Sequence, residues 1–432
     1  MFLNDCFDVN ANGNLTIGGV DTIELAAKYS TPLYVMDEKT IRDNIRSYKN
    51  AIEKFYNSNG LVCYASKAFS CKEIYRICAD EGIGIDVVSG GEIYTALSVG
   101  FDASKMCFHG NSKPISEIEY AIDNNIGRIV ADNLQELENI DDVAGKKGIT
   151  ANVMLRIKPG IDAHTHDFIK TGQIGSKFGF ALPTGEAFEA VKFCLEHKNI
   201  KLIGLHCHIG SQIFDVEPFE LASKVMAQFI KKIKDELCFE IAELNLGGGF
   251  GIKYTQNDDP KPYVEYMECV SKALISECDA LGIKTPFIIV EPGRSIVGAA
   301  GITLYSVSTV KEIPGICKYV LVDGGMCDNP RYALYQSEYE ATVANKVNAA
   351  KTETVTIAGK CCEGGDKIGE NMSLQECSAN DIIAVFSTGA YNYSMSSNYN
   401  RNPRPAVIMI NNGEDRVIVK AETYADIVRN DV

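Results

Sequence analysis

No run of the 432-residue chain approaches the ~18 uninterrupted apolar residues that a helical membrane span requires. Met1 to Asn10 contain neither a basic segment nor an apolar one, so no secretory signal is expected. A basic excess is missing too. Forty-two Lys and Arg stand against 57 Asp and Glu, a net charge of −15. Such a surface excludes non-specific binding to nucleic acid or to an anionic membrane, but it leaves room for a local basic pocket that takes a small anionic substrate. No CxxC pair occurs among the 15 cysteines, which makes a thiolate zinc site unexpected. Their odd number and scatter read as reduced cytosolic thiols, mostly small buried hydrophobes. Low-complexity segments and short solenoid repeats are likewise missing.

The 46% hydrophobic and 23% charged fractions are those of an ordinary globular protein, not a disordered one. The length suggests two or three domains, although one α/β barrel can take ~250 residues. From about residue 61 to 291, short apolar, β-branched runs alternate with helical patterns. The runs are 61–65, 85–88, 106–109, 128–130, 152–157, 202–206, 243–246 and 287–290. Between them, apolar residues recur at three- and four-residue spacing. Strands alternating with amphipathic helices predict parallel βαβ units, and about eight of them predict a (β/α)8 barrel. After about residue 295 the pattern turns to strands separated by Gly, Pro and Asn: 302–313, 318–322, 354–357, 382–386, 406–410 and 416–420. The fold class read from this is α/β, a TIM-like barrel at 31–296 followed by a mostly β domain at 297–432. Residues 1–30 form an N-terminal segment expected to pack with the β domain.

Chemistry in such barrels collects at the C-terminal ends of the strands. The residues just past each expected strand are Ser66-Lys67, Ser89 to Glu92, His109 to Asn111, His206 to Ser211, Gly247 to Gly251 and Glu291 to Arg294, with Arg156 near the end of its own strand. Lys67 leaves an apolar strand, and a lysine desolvated at a barrel mouth can act as an amine nucleophile toward an aldehyde; a surface lysine at a strand end is the plainer reading. Gly247-Gly248-Gly249 lets backbone approach a phosphate, with Ser211 adding a hydroxyl, or makes a tight turn. A carboxylate such as Glu291 could keep a pyridine nitrogen protonated, or form a structural ion pair at a turn. His208 could stack on a flat ring or be a satisfied core histidine. Only together do these features describe a pyridoxal-phosphate site.

The chain resembles the diaminopimelate decarboxylases, pyridoxal-phosphate enzymes of the alanine-racemase-like fold that have ornithine and arginine decarboxylases as relatives. The likeness runs from about Thr31 to Pro405. Tyr64-Ala65-Ser66-Lys67-Ala68 matches the cofactor-lysine motif, and Asp86 to Glu92 matches Asp-Val-x-Ser-x-Gly-Glu. Arg156 to Gly160, His164-Thr165-His166, Thr171-Gly172 and Ser176 to Gly179 look like the lid segment of the diaminopimelate branch. Leu205 to Gln212, Glu291 to Arg294, Arg331-Tyr332-Ala333-Leu334-Tyr335, Cys362-Glu363 and Gly389-Ala390-Tyr391 also match. Tyr332 and Lys360 stand where the family usually has proline, and Asn402 interrupts Asn-x-Arg-Pro-Arg-Pro.

The resemblance implies pyridoxal 5'-phosphate as cofactor and meso-diaminopimelate as substrate, decarboxylated to L-lysine in the cytoplasm. It implies Lys67, Asp86, His208, Ser211, Gly248, Gly249, Glu291, Gly293, Arg294 and Tyr391 at the cofactor. Arg294, Arg331, Tyr335, Glu363 and Tyr391 are implied at the substrate. Cys362, from the partner chain of a homodimer, is the implied acid that reprotonates Cα. Three alternatives stay open: the same chemistry on arginine, ornithine or carboxynorspermidine, a non-catalytic regulatory homologue, and a metal-dependent barrel hydrolase. The last would use His164-x-His166 and His206-x-His208 as ligand pairs.

Overall fold

Eight apolar segments pair in parallel and in chain order: Gly60–Ala65, Gly84–Val87, Met106–Phe108, Arg128–Ala131, Ala151–Lys158, Ile200–Cys207, Glu243–Asn245 and Phe287–Val290. The eighth returns to the first, with Ile288 opposite Gly60, and closes the barrel. Each strand lies within two residues, at either end, of the run read from the sequence. The match follows from closure. A strand covered on both faces must be apolar nearly throughout, so it stands out against the amphipathic helices beside it. The structure, a computed structural model, describes residues 2–161 and 175–432. Among these residues no helix is long and apolar enough to cross a membrane.

The barrel strands belong to one of two units, Asn44–Gly251 with Pro260–Gly293. Apolar side chains fill the barrel interior: Cys63 and Cys107 are fully buried, with their sulfurs 4.0 Å apart, and pack with Val130, Met154 and Ile289. At the strand starts, Arg128 reaches Glu243 through two hydrogen bonds, Nε to Oε2 at 2.6 Å and Nη2 to Oε1 at 2.8 Å. The Asp86-to-Glu92 motif has a local structural role as well. Ser89 Oγ accepts from the Glu92 amide, which satisfies a first-turn amide of the helix Gly90–Leu97, and Glu92 Oε2 accepts from the Val88 amide just before the helix.

The second unit comprises Met1–Asp43, Ile252–Asp259 and Arg294–Val432. Its main sheet runs in the order Lys367–Leu374, Glu353–Ala358, Cys317–Val322, Gly301–Ile313, Leu33–Asp37, Ala406–Asn411 and Glu414–Val419. Ile382–Val385 also pairs with Gly301–Ile313, and Ala341–Val343 pairs with Ile382–Val385. Leu15 and Ile17, from a three-stranded N-terminal sheet, are buried against Leu33, Ile302, Leu304 and Ile408.

Residues 31–43, 252–259 and 294–296, expected with the barrel, cluster with this unit. Leu33–Asp37 shows why. It is apolar and precedes a helix, so in sequence it reads as a first βα unit. Its partners instead are Gly301 to Leu304, antiparallel, and Ala406 to Ile410, parallel. Long-range pairing decides its sheet, and periodicity carries no trace of the partner.

Candidate active site

Within the barrel unit, the ends of the first, second, third, sixth, seventh and eighth strands bring Lys67, Asp86, His109, His206, Asn245 and Glu291 together. Lys67 Nζ lies 3.7 Å from Asp86 Oδ2. The Lys67 side chain is 45% exposed while Asp86 is buried. The amine thus stands at an open barrel mouth with an acidic side chain beside it. Burial pushes the Asp86 carboxyl up, against the pull of His109 and Lys67. Glu291 is buried, and its Oε1 accepts from His109 Nε2 at 2.7 Å and from Asn245 Nδ2 at 2.5 Å. Its Oε2 accepts from His206 Nε2 at 3.2 Å. Burial opposes the charge on Glu291, but His109 and His206 outweigh it and hold the carboxyl well below the ordinary range. Burial drives His206 down to about 3, so its ring is neutral at pH 7.

Glycines shape the far side of this group. A Cβ on Gly248 would lie 2.1 Å from the Glu291 carbonyl oxygen, and one on Gly249, at φ +116°, would lie 2.4 Å from the Gly210 oxygen. Both positions exclude any side chain. The Gly248 amide donates to His208 Nδ1 at 3.3 Å, so this glycine orients the histidine ring. Burial, then the charges of Lys67 and Arg156, hold His208 well below its ordinary pKa and leave the ring uncharged. A Cβ on Gly293 would come within 2.8 Å of the Ala65 Cβ, so this glycine lets the chain pass the end of the first strand. Ser211 lies past the sixth strand, in the turn that Ile213 closes on Gly249.

The β unit gathers a second group. Arg331 opens the helix Arg331–Tyr335, is buried, and donates Nη1 to Tyr339 Oη at 2.9 Å. Its guanidinium lies over three rings, Tyr254 at 5.0 Å, Tyr339 at 5.8 Å and Tyr391 at 5.9 Å. Arg294 shares two of them, Tyr391 at 4.8 Å and Tyr254 at 5.6 Å, and donates Nη1 to Tyr254 Oη at 2.5 Å. Tyr391 holds a left-handed backbone at φ +67°, a strained state for a ringed residue. Tyr335 is half-buried. Cys362 and Glu363 are exposed on a turn wrapped around Asp366, whose carboxylate accepts from the Met326 and Cys361 amides at 2.6 Å each.

Two family departures have local partners. Tyr332 Oη donates to Glu370 at 2.6 Å, and Asn402 Nδ2 donates to the Tyr399 oxygen at 3.0 Å.

The sequence places His109 and His206 among the strand-end residues, and His206 in an alternative ligand pair with His208, but points to none of His109, His206 and Asn245 as a partner of Glu291. Tyr254 and Tyr339 left no signal at all. His206 and His208 face different partners, Glu291 and the Gly248 amide, and so form no common ligand pair. The residues His164 to His166 and Thr171-Gly172 lie outside the described residues.

The barrel group suits pyridoxal phosphate. It offers a primary amine at Lys67, a carboxylate at Glu291, an uncharged ring at His208 and a small-residue turn. Asp86 Oδ1 is buried with no hydrogen-bond partner among the described residues, as a site completed by a polar guest would have it.

A barrel with this lysine and carboxylate, joined to a sheet unit, defines the class of pyridoxal-dependent decarboxylases. The family model described as "Pyridoxal-dependent decarboxylase, pyridoxal binding domain" matches residues 38–298. The chain is 50% identical to diaminopimelate decarboxylase of Bacillus methanolicus over 97% of both chains. It is 49% identical to that of Bacillus subtilis, over all of this chain and 98% of the relative. Diaminopimelate decarboxylase of M. jannaschii, solved in complex with L-lysine, superposes with a TM-score of 0.92 at 36% identity, covering 100% and 99% of the two chains. The chain belongs to the diaminopimelate decarboxylase family.

Proposed function

We propose that the protein releases CO2 from meso-diaminopimelate and forms L-lysine, with the labour divided among the residues as follows. Bound pyridoxal phosphate supplies the electron sink for the pair left when the bond between Cα and its carboxylate breaks. Lys67 carries the cofactor, Glu291 keeps its ring nitrogen protonated, and the uncharged His208 packs on the ring face. Ser211 and the Gly249 backbone take the phosphate, and Gly248 orients His208. Cys362 of the partner subunit returns a proton to Cα. Arg294 and Arg331 pair with the distal carboxylate, Tyr335 hydrogen-bonds it, and Glu363 pairs with the distal ammonium. Tyr391 stacks beside both arginines. The protein works as a cytoplasmic homodimer.

The observation that carries this reading is full-length likeness at about half identity together with Lys67 and Glu291 at the ends of neighbouring barrel strands. A site that pairs a charge rejects an analogue lacking it, because its own groups are left unpaired. Ornithine, without a distal carboxylate, is therefore a poor substrate. The test is CO2 release by the cofactor-loaded protein from meso-diaminopimelate beside LL-diaminopimelate, ornithine and arginine. Release from the meso isomer alone supports the reading. Release from another amino acid overturns the roles given to Arg331 and Glu363, and no release with cofactor bound overturns the activity.

A further inference from the structure

The hydrogen bonds on Glu291 leave it unusual among buried carboxylates. A carboxylate has about four acceptor positions. Oε1 has two donors, His109 Nε2 and Asn245 Nδ2, while Oε2 has one, His206 Nε2. Among the described residues, one position on Oε2 remains.

Each donor is fixed in its role. The Asn245 amide cannot turn over, because its Oδ1 accepts the Gly247 amide at 2.9 Å and so keeps Nδ2 toward Glu291. His206 is fully buried and its Nδ1 has no partner among the described residues. Its proton therefore sits on Nε2, the nitrogen that faces the carboxylate. The His109 and His206 rings meet edge-on at 4.7 Å, so neither can rotate without displacing the other.

We propose that His109, His206 and Asn245 are positioning residues that hold Glu291 as a weakly basic carboxylate with a single open acceptor position. This position selects a protonated pyridine nitrogen. The inference rests on the reading that Glu291 faces that nitrogen. In a buried pair, the shared proton can sit on either partner. Donors to the carboxylate stabilise its anion, so the proton stays on the ring nitrogen, where it strengthens the electron sink. Remove a donor and the carboxyl becomes the better base. The proton then moves to Glu291, and the pair becomes neutral.

The test compares equilibrium binding of pyridoxal phosphate with binding of its 1-deaza analogue, in which CH replaces the ring nitrogen. The full-length protein stripped of cofactor is used throughout. The wild type is expected to prefer pyridoxal phosphate by about tenfold or more, the worth of one charge-assisted hydrogen bond. Glu291→Gln is expected to lose that preference. Asn245→Leu and His109→Leu are each expected to cut it at least about threefold, and His109→Gln, which keeps a donor, to restore most of it. Asn245→Ala removes the same donor without adding bulk, so it reports even where the leucine variants fail to fold; it is expected to cut the preference by a like factor. If Glu291→Gln loses the preference while the Asn245 and His109 variants keep it, the positioning role is overturned and the reading of Glu291 stands. A wild type without preference overturns both.

Discussion

Arg331 donates to the Tyr339 hydroxyl at 2.9 Å while its guanidinium lies 5.0 Å from the centre of the Tyr254 ring. Its hydrogen-bond and ring partners among the described residues are all phenols. Phenol faces and one hydroxyl orient a buried cation but do not neutralise it. A carboxylate guest would supply the missing charge. Arg331→Ala is expected to cripple diaminopimelate turnover while pyridoxal-phosphate binding persists. Tyr339→Phe keeps the ring and removes one hydrogen bond, so KM is expected to rise about five- to tenfold with kcat within about twofold. Steady-state kinetics and a cofactor titration check both. Loss of cofactor in Arg331→Ala would instead mark the arginine as structural.

Lys67 and Cys362 lie in different units of the chain, and the homodimer reading takes them from different subunits to one site. Either single variant, Lys67→Ala or Cys362→Ala, is expected to be inactive. In a mixture of the two, random pairing yields mixed dimers in about half the cases, each with one site carrying both native residues, so about a quarter of wild-type activity should return. An inactive mixture of well-folded dimers would place both residues of each site in one chain.

How far these residues could be read from sequence differs by element. The barrel strands were legible because closure buries both of their faces, which leaves continuous apolar runs. Lys67, His208 and Glu291 were legible because they end such runs. Asn245 lies inside the run 243–246, where a single polar residue carries no sign of its partner. Only the fold shows it aimed at a carboxylate 46 residues on. Tyr254 and Tyr339 lie 85 residues apart, on no shared period, and meet at 5.3 Å through packing alone. Leu33–Asp37 fails for a related reason: its parallel partner lies near the other end of the chain.

Gly248 ties two functional side chains together. Its amide orients His208, and its missing side chain leaves room for the Glu291 carbonyl. Gly248→Ala would place a methyl 2.1 Å from that oxygen, a distance no carbon tolerates, so the turn or the end of the eighth strand must shift. Overpacking of this kind costs about 1–3 kcal/mol. The expected result is a folded protein of lowered Tm with at least about tenfold weaker pyridoxal-phosphate binding, read by thermal unfolding and by titration of the stripped protein. Unchanged cofactor affinity in a folded variant would show that the turn absorbs the methyl without moving His208 or Glu291.

Asp328 makes the stability of the β unit depend on pH. It is 2% exposed and accepts from the Tyr305 hydroxyl at 2.5 Å and the Gly325 amide at 3.1 Å. Burial outweighs these bonds and pushes its carboxyl up to about 7. In the unfolded chain an aspartate titrates near ~3.9. Between about pH 4 and pH 7 the folded protein therefore holds a proton that the unfolded chain has lost, and stability must fall as pH rises through that window. Below about pH 4 both states are protonated and above about pH 7 both are ionised, so this contribution is flat at either end. The total change is on the order of 4 kcal/mol. An asparagine side chain in its place cannot ionise, but its amide nitrogen would face the Gly325 N–H. Asp328→Asn is thus expected to be less stable than wild type at pH 5 by about 1–3 kcal/mol, and equal to it or better at pH 8. Urea unfolding midpoints at pH 5, 6, 7 and 8 check the crossing. Parallel curves for the two proteins would mean that Asp328 is ionised across the whole range.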